Sequence, residues 1–358
     1  DMYRMGWIKN APNPKLKWEK TRDMKVALDF GLWKDRINGI VEAYWRKSKD
    51  CVTSEYVPVT TGFFNQSYNT SVLQNNGVEF SLSVAVLKSK DYNLSVSANV
   101  AWNQNKLKKY NSPNTSLALD KYVGYPMGAV FSGKYEGIDP ETGMYKFKLR
   151  PDAVTNKDGY LREPNNYYYY LGTSVAPFTG GFNLNFSYKN IGLSVGGSYS
   201  VKAKMVDNIE SPAGYELLSG SKLESIPTPH NDLYRNHLNV KREVRNRWTP
   251  ENRTGVKYPR LIDAYGKKLG LDLTNPTLTT ITRGALLEDI SYLRINTIAL
   301  SYSLPQRVLE RINFSSAALN LTLNNFFTIT KYSGIDPEVP GATYPVSRSV
   351  TIGLNVGF

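Results

Sequence analysis

Four consecutive tyrosines, Tyr167-Tyr168-Tyr169-Tyr170, are the densest run of binding-competent side chains in the sequence. Each phenol joins an apolar face to a hydroxyl, so the run can stack on sugar rings or hold a peptide backbone. An interfacial aromatic belt or a partner interface suits it better still. Arg247 and Trp248 are a second candidate: a guanidinium beside an indole clamps a ligand, or closes a cation–π contact inside its own loop. Two acidic pairs, Asp139 with Glu141 and Asp336 with Glu338, raise calcium as a ligand, although Asp-Pro with a following Gly is also ordinary turn chemistry. Covalent chemistry has less support. Ser, His and Asp all occur, but no nucleophile motif surrounds any serine. His230 and His237 are the only imidazoles and share one hydrophilic stretch, which argues against a zinc centre. With Cys51 as the only cysteine, an intrachain disulfide and a cysteine-rich metal site are excluded. The expectation is a protein that binds and does not catalyse.

The net charge of +13 raises nucleic acid as a partner. Lys and Arg are nevertheless spread over turns and loops, with no helix-turn-helix pattern and no stacked-aromatic RNA motif. The densest cluster is Lys241, Arg242, Arg245, Arg247 and Arg253, read as a solvated loop or as contact with anionic lipid headgroups. No run of eighteen apolar residues exists, so a helical membrane span is excluded, whereas a barrel hides its hydrophobicity in alternation. The 25 Tyr, 13 Phe and 6 Trp suit the aromatic girdles of such barrels.

The elements that would carry these residues are strands. Val350, Ile352, Leu354, Val356 and Phe358 alternate with Ser349, Thr351, Gly353, Asn355 and Gly357, placing large apolar groups on one face and small or polar groups on the other. A hairpin is expected over Val26–Leu32 and Ile37–Arg46, turning near Lys34-Asp35, followed by a polar connection from about Thr60 to Gln74. The next hairpin runs over Val78–Val86 and Tyr92–Trp102, and its polar face from Asn93 to Asn103 carries no charge. A soluble protein rarely leaves such a face against water; a channel lumen tolerates it. A further hairpin covers Phe178–Tyr188 and Leu193–Val201 across the short connection Lys189-Asn190. Additional strands are expected at Gly128–Tyr135, at Ile290–Tyr302, where both phases hold apolar residues, and at Leu319–Leu323. About eighty residues from Lys204 to Leu287 lack strand periodicity, as long extracellular barrel loops do. A soluble β-sandwich remains the rival reading at this point.

Seven segments then resemble, in order, patterns of the SusC/RagA family of TonB-dependent outer-membrane transporters. They are Leu16-Lys17-Trp18-Glu19, Asn75-Asn76-Gly77-Val78-Glu79-Phe80, Gly137-Ile138-Asp139-Pro140-Glu141-Thr142-Gly143, Arg247-Trp248-Thr249-Pro250-Glu251-Asn252, Ser291-Tyr292-Leu293-Arg294-Ile295, Asn324-Asn325-Phe326-Phe327-Thr328 and Gly334-Ile335-Asp336-Pro337-Glu338. Each alone is weak; seven in order over nearly the whole chain are specific. Asn76 stands where the family usually has Lys, and the terminal strand lacks charge.

The resemblance implies an all-β fold, an antiparallel transmembrane β-barrel with long extracellular loops. Residues 1–358 would supply the last ten or eleven strands of a 22-stranded barrel, in the outer membrane of a Gram-negative, Bacteroidota-like bacterium. The plug domain, the TonB-contacting segment and the first strands are not in this chain. The sequence starts at Asp1 with no signal peptide, and an open sheet in lipid would leave unpaired edges costing roughly tens of kcal/mol. The expectation is a fragment or one chain of a split transporter, completed by its N-terminal half. The implied function is TonB-dependent uptake of oligosaccharides or oligopeptides beneath a SusD-like lipoprotein lid, with lipid and lipopolysaccharide around the wall. Tyr167–Tyr170, Arg247 and Trp248 are its candidate substrate contacts. Leu354, Val356 and Phe358 resemble the C-terminal signal that hands bacterial barrels to their insertion machinery. The alternatives are a passive porin-type barrel, a secreted carbohydrate-binding β-sandwich, and an outer-membrane barrel hydrolase, which would need an acid–base pair in its lumen.

Overall fold

A computed structural model describes residues 11–111, 122–141, 143, 145–154, 166–206, 245–258, 283–340 and 344–358. Its strands are β1 (Lys20–Leu32), β2 (Ile37–Tyr56), β3 (Asn65–Lys88), β4 (Tyr92–Tyr110), β5 (Ala129–Gly133), β6 (Tyr135–Ile138), β7 (Tyr145–Phe147), β8 (Tyr168–Thr173), β9 (Phe178–Tyr188), β10 (Ile191–Val201), β11 (Lys204–Val206), β12 (Leu287–Asp289), β13 (Tyr292–Ser303), β14 (Ser316–Thr330) and β15 (Ser349–Gly357). Nine of them form one sheet in the order β1-β2-β3-β4-β9-β10-β13-β14-β15, with every neighbouring pair antiparallel. The other six pair as small ribbons, β5 with β8, β6 with β7 and β11 with β12.

Register turns the alternation of single strands into continuous stripes. Leu32, Ile37, Val84, Val96, Leu184, Val195, Ile298, Leu323 and Val350 follow one another across all nine strands. The next row out reads Leu94, Phe186, Leu193, Leu300, Leu321 and Ile352. On the opposite face Ser83, Ser97, Asn183, Gly196, Thr297 and Asn324 follow one another. A one-residue slip would exchange the two faces, so these stripes fix the register.

No second sheet covers the apolar face among the described residues: Ile352 is 73% exposed and Leu28 64%. An apolar surface of this extent marks contact with lipid or another protein. A sandwich would bury it, so the sandwich reading fails. The face has the banding expected of a membrane wall. A tyrosine row at the short-turn end, Tyr92, Tyr188 and Tyr302, shares the outward face with Trp102 and Phe178 near the other end. From Tyr92 to Trp102, ten steps of about 3.3 Å along a tilted strand span about 25 Å of height.

Connections sort by end. Short turns at 33–36, 89–91 and 189–190, with the helical turn Gln306–Ile312, lie at one end; the longer connections that follow β2, β4, β10 and β14 leave the wall at the other. Close approaches tighten the wall where aromatics cross glycines. The Phe30 ring occupies the space a Cβ on Gly39 would need, and Phe182 does the same over Gly197.

Three sequence expectations change. The strand at Gly128–Tyr135 forms largely as β5, but it pairs with β8 in a ribbon and not with the wall, so the wall holds nine strands among the described residues and not ten or eleven. The polar stretch Thr60–Gln74 is mostly strand: β3 starts at Asn65 and pairs with β2 up to Tyr56. Above the membrane a ladder no longer needs an apolar face, so periodicity disappears while hydrogen bonding continues. Ile290–Tyr302 looked ambiguous because Asn296 is an extra residue relative to β10, a bulge that reverses parity. Leu293 and Ile295 on its long-connection side therefore share the outward face with Ile298, Leu300 and Tyr302 on its short-turn side.

Candidate functional site: the lumenal wall and its rim

The polar face of the sheet is lined with groups that already satisfy one another across strands. Asn105 donates to Asn75 at 2.6 Å, Ser194 to Asn185 at 2.8 Å, and Asn324 to Ser349 at 3.0 Å. On β1 and β2 the charges pair as well: Lys25 with Glu42 at 2.6 Å and Arg46 with Asp23 at 2.5 Å. Such exposed ion pairs contribute about 0–1 kcal/mol each, so they can exchange partners at little cost. A concavity of about 640 Å³ opens on this face between Asp29, Asn38, Ser81, Asn99 and Asn183. This surface can hydrogen-bond a polar ligand or a polar protein segment. It offers no acid–base pair in a water-excluding pocket.

Above the wall, the tyrosine run divides its labour. Tyr168, Tyr169 and Tyr170 lie on β8, and Tyr169 Oη donates to the Leu149 carbonyl at 2.8 Å. The Tyr170 ring packs 4.9 Å from Tyr125 and 5.7 Å from Phe131, and Phe131 lies edge-on to Tyr122 at 5.1 Å. Burial raises the Tyr167 and Tyr170 phenols above their ordinary range, with Tyr125 adding to the effect on Tyr170; both stay neutral donors at physiological pH. Tyr170 and Tyr125 also remain 41% and 38% exposed, so their outward edges are open to a ligand. No local pattern announces that Tyr122, Tyr125 and Phe131 join the run, because their meeting depends on the β5–β8 pairing.

Trp248 has a structural job. It is buried, and its indole Nε1 donates to the Pro140 carbonyl at 2.8 Å, which pins the Gly137–Pro140 segment against the Arg247–Asn252 turn. Arg247 and Tyr258 form a parallel bridge, and Tyr258 lies near the half-buried Tyr145, whose phenol desolvation pushes well above its ordinary range. Arg245 and Arg253 are exposed; Lys241, Arg242, His230 and His237 lie outside the described residues.

The acidic pairs are not alike. Asp139 Oδ1 accepts the Glu141 amide at 3.0 Å, and the Asp139 carbonyl accepts Gly143 N, which is turn chemistry. Asp336 is buried and receives the Arg294 guanidinium together with the amides of Glu338 and Val346 at 3.0 Å each. Glu338 pairs with the same guanidinium at 2.8 Å. Burial alone would raise the Asp336 carboxyl, but the two amides and Arg294 hold it below the ordinary carboxylate value. Its oxygens are met by these donors, which form an arginine latch. No group of three or more potential metal ligands occurs among the described residues. At the short-turn end, the Phe358 ring lies edge-on to Phe314 at 5.1 Å, and Leu354 and Val356 continue the outward face of β15.

Comparison with known proteins follows the same lines. No family model matches the chain. It is 26% identical over 383 residues to the TonB-dependent receptor SusC of Bacteroides thetaiotaomicron, covering 100% of this chain and 34% of that one. It is 25% identical over 381 residues to the TonB-dependent receptor P26 of Formosa agariphila, covering 97% of this chain and 35% of that one. The structure of the RagAB peptide transporter matches with a TM-score of 0.75 at 26% identity, over 98% of this chain and 37% of that one. The chain thus spans about a third of the length of the curated relatives it matches. The nine-stranded sheet is outer-membrane β-barrel wall.

Proposed function

We propose, for a chain that resembles the C-terminal part of SusC/RagA-family TonB-dependent outer-membrane transporters in sequence and in fold, that its wall and rim form part of an energised import path. The cargo is an oligosaccharide or an oligopeptide. The two-faced sheet carries this reading: one face is apolar across all nine strands and the other presents amides, hydroxyls and exchangeable ion pairs. The remaining strands of the longer protein close the barrel, its plug fills the lumen, and TonB acts on that plug. A SusD-like lipoprotein covers the rim loops. The outward edges of Tyr125 and Tyr170 offer cargo an apolar face beside a neutral hydroxyl. Arg247, at the start of the rim turn, is a further cargo contact, whereas Trp248 holds that turn together.

The test is uptake by cells carrying the whole transporter. Tyr125→Ala with Tyr170→Ala is expected to lower uptake of the true cargo roughly tenfold, in line with the loss of two aromatic contacts of about 0.5–1.5 kcal/mol each. Comparing glycan with peptide identifies the class. Uptake that persists undiminished in cells lacking TonB function would make the barrel a passive pore and overturn the proposal.

A further inference from the structure

The turn between β1 and β2 is unusual in its backbone and in how it distributes charge. Trp33, Lys34 and Asp35 have φ values of 52°, 54° and 61°, three successive non-glycine residues in the left-handed region, each of which costs conformational energy. The side chains of the turn border different cavities. Asp35 borders the lumenal concavity. Trp33, Lys34 and Arg36 border a groove of about 580 Å³ that also touches Ile37, Val84 and Val86. Ile37 and Val84 belong to the outward apolar stripe, so this groove faces lipid.

The groove is built by two features. β3 carries an extra residue between Ala85 and Leu87 relative to β4, and the Ala85 amide donates to the Arg36 carbonyl at 2.7 Å, which fastens the turn to the bulged strand. Trp33 stands 71% exposed at its mouth. No acidic side chain borders the groove. Two cations, an indole and an aliphatic floor therefore meet where the apolar band ends, beside the tyrosine row whose Tyr188 ring lies 5.3 Å from the Lys189 ammonium.

We propose that this groove is a binding site for an anionic glycerophospholipid of the periplasmic leaflet. Its phosphodiester sits between Lys34 and Arg36, one acyl chain lies along Ile37, Val84 and Val86, and Trp33 packs at the interface between headgroup and chain. The occupant is a bilayer lipid and not free phosphate, because half of the groove is aliphatic and opens onto the membrane-facing stripe. The site rests on the reading of this sheet as outer-membrane wall.

Native mass spectrometry of the detergent-solubilised whole transporter, mixed with phosphatidylglycerol or phosphatidylethanolamine, tests it. Phosphatidylglycerol is expected to be retained preferentially. Lys34→Gln with Arg36→Gln should weaken that retention on the order of tenfold or more, while Lys108→Gln with Lys109→Gln at the opposite rim should leave it unchanged. Inorganic phosphate should not compete. Equal retention of the two lipids, or retention insensitive to the Lys34 and Arg36 changes, overturns the headgroup site. The same samples separate that failure from a deeper one: a protein that is soluble without detergent and shows no heat-modifiable band on a gel overturns the membrane reading itself.

Discussion

The Arg294 latch shows how much a single buried side chain can hold. Arg294 is 2% exposed, reaches Thr328 Oγ1 at 3.1 Å and meets both carboxylates of the Gly334–Glu338 segment. Removing one partner of a buried ion pair leaves an uncompensated charge and costs about 3–5 kcal/mol. Arg294→Met is therefore expected to free the connection between β14 and β15, seen as faster amide exchange and protease cutting between Tyr332 and Arg348, with the rest of the wall unchanged. The pH dependence has a definite sign. Asp336 titrates below its unfolded value of 3.8, so its contribution is complete above the ordinary carboxylate range and is lost as pH falls below about 4 through the folded value; exchange in this segment should accelerate on acidification in that window and not between pH 6 and 8. Trp248→Phe keeps the ring but deletes the bond to Pro140, and should lower stability by about 1 kcal/mol in a melting measurement. The sequence displays Ile138-Asp139-Pro140-Glu141 and Ile335-Asp336-Pro337-Glu338 as the same phrase. One is a turn and the other is half of a latch, because the deciding partner, Arg294, lies 42 residues away and no local pattern announces it.

At the scale of the element, alternation made the hairpins legible wherever both strands cross the membrane, since lipid on one side and water on the other enforce a strict period of two. The register pairs Val78 with Trp102 and Phe178 with Val201 as the sequence hairpins anticipate. Legibility stopped where that constraint stopped: the upper halves of β2, β3 and β4 are strand without alternation, and β5 alternates without joining the wall. Asn296 hid the facing of β13, because a single extra residue inverts parity. Deleting Asn296 should force Leu293 and Ile295 toward the lumen, and is expected to abolish the heat-modifiable folded band. The two faces also differ in what they tolerate. Ile352→Arg places a cation on the lipid side and should cost about 2–4 kcal/mol near mid-membrane, whereas Thr351→Arg, one residue away on the lumenal side, should cost less than half as much in the same urea titration.

For the molecule as a whole, topology sets an order of assembly. β3 and β4 are joined through 89–91 and β9 and β10 through 189–190, while the seams β4–β9 and β10–β13 close across 111–177 and 202–291. Closing those longer segments costs about 3 kcal/mol more per seam in chain entropy, so local hairpins should form first and be stitched together afterwards. Cysteines placed at the facing residues Ser81 and Asn99 should crosslink earlier during refolding than cysteines at Ser95 and Asn185; simultaneous crosslinking would contradict this order. The overall positive charge and the aromatic content were readable from composition, but which connection folds back on the wall was not, since that depends on contacts between distant segments.

The late seams have a further consequence. Because β4 and β9 recognise each other through their own matched faces, the segment between them contributes little to the decision that brings them together. Its length and chemistry are free to drift while the staves beneath stay fixed. A lineage can thus rewrite the crown and leave the cask intact.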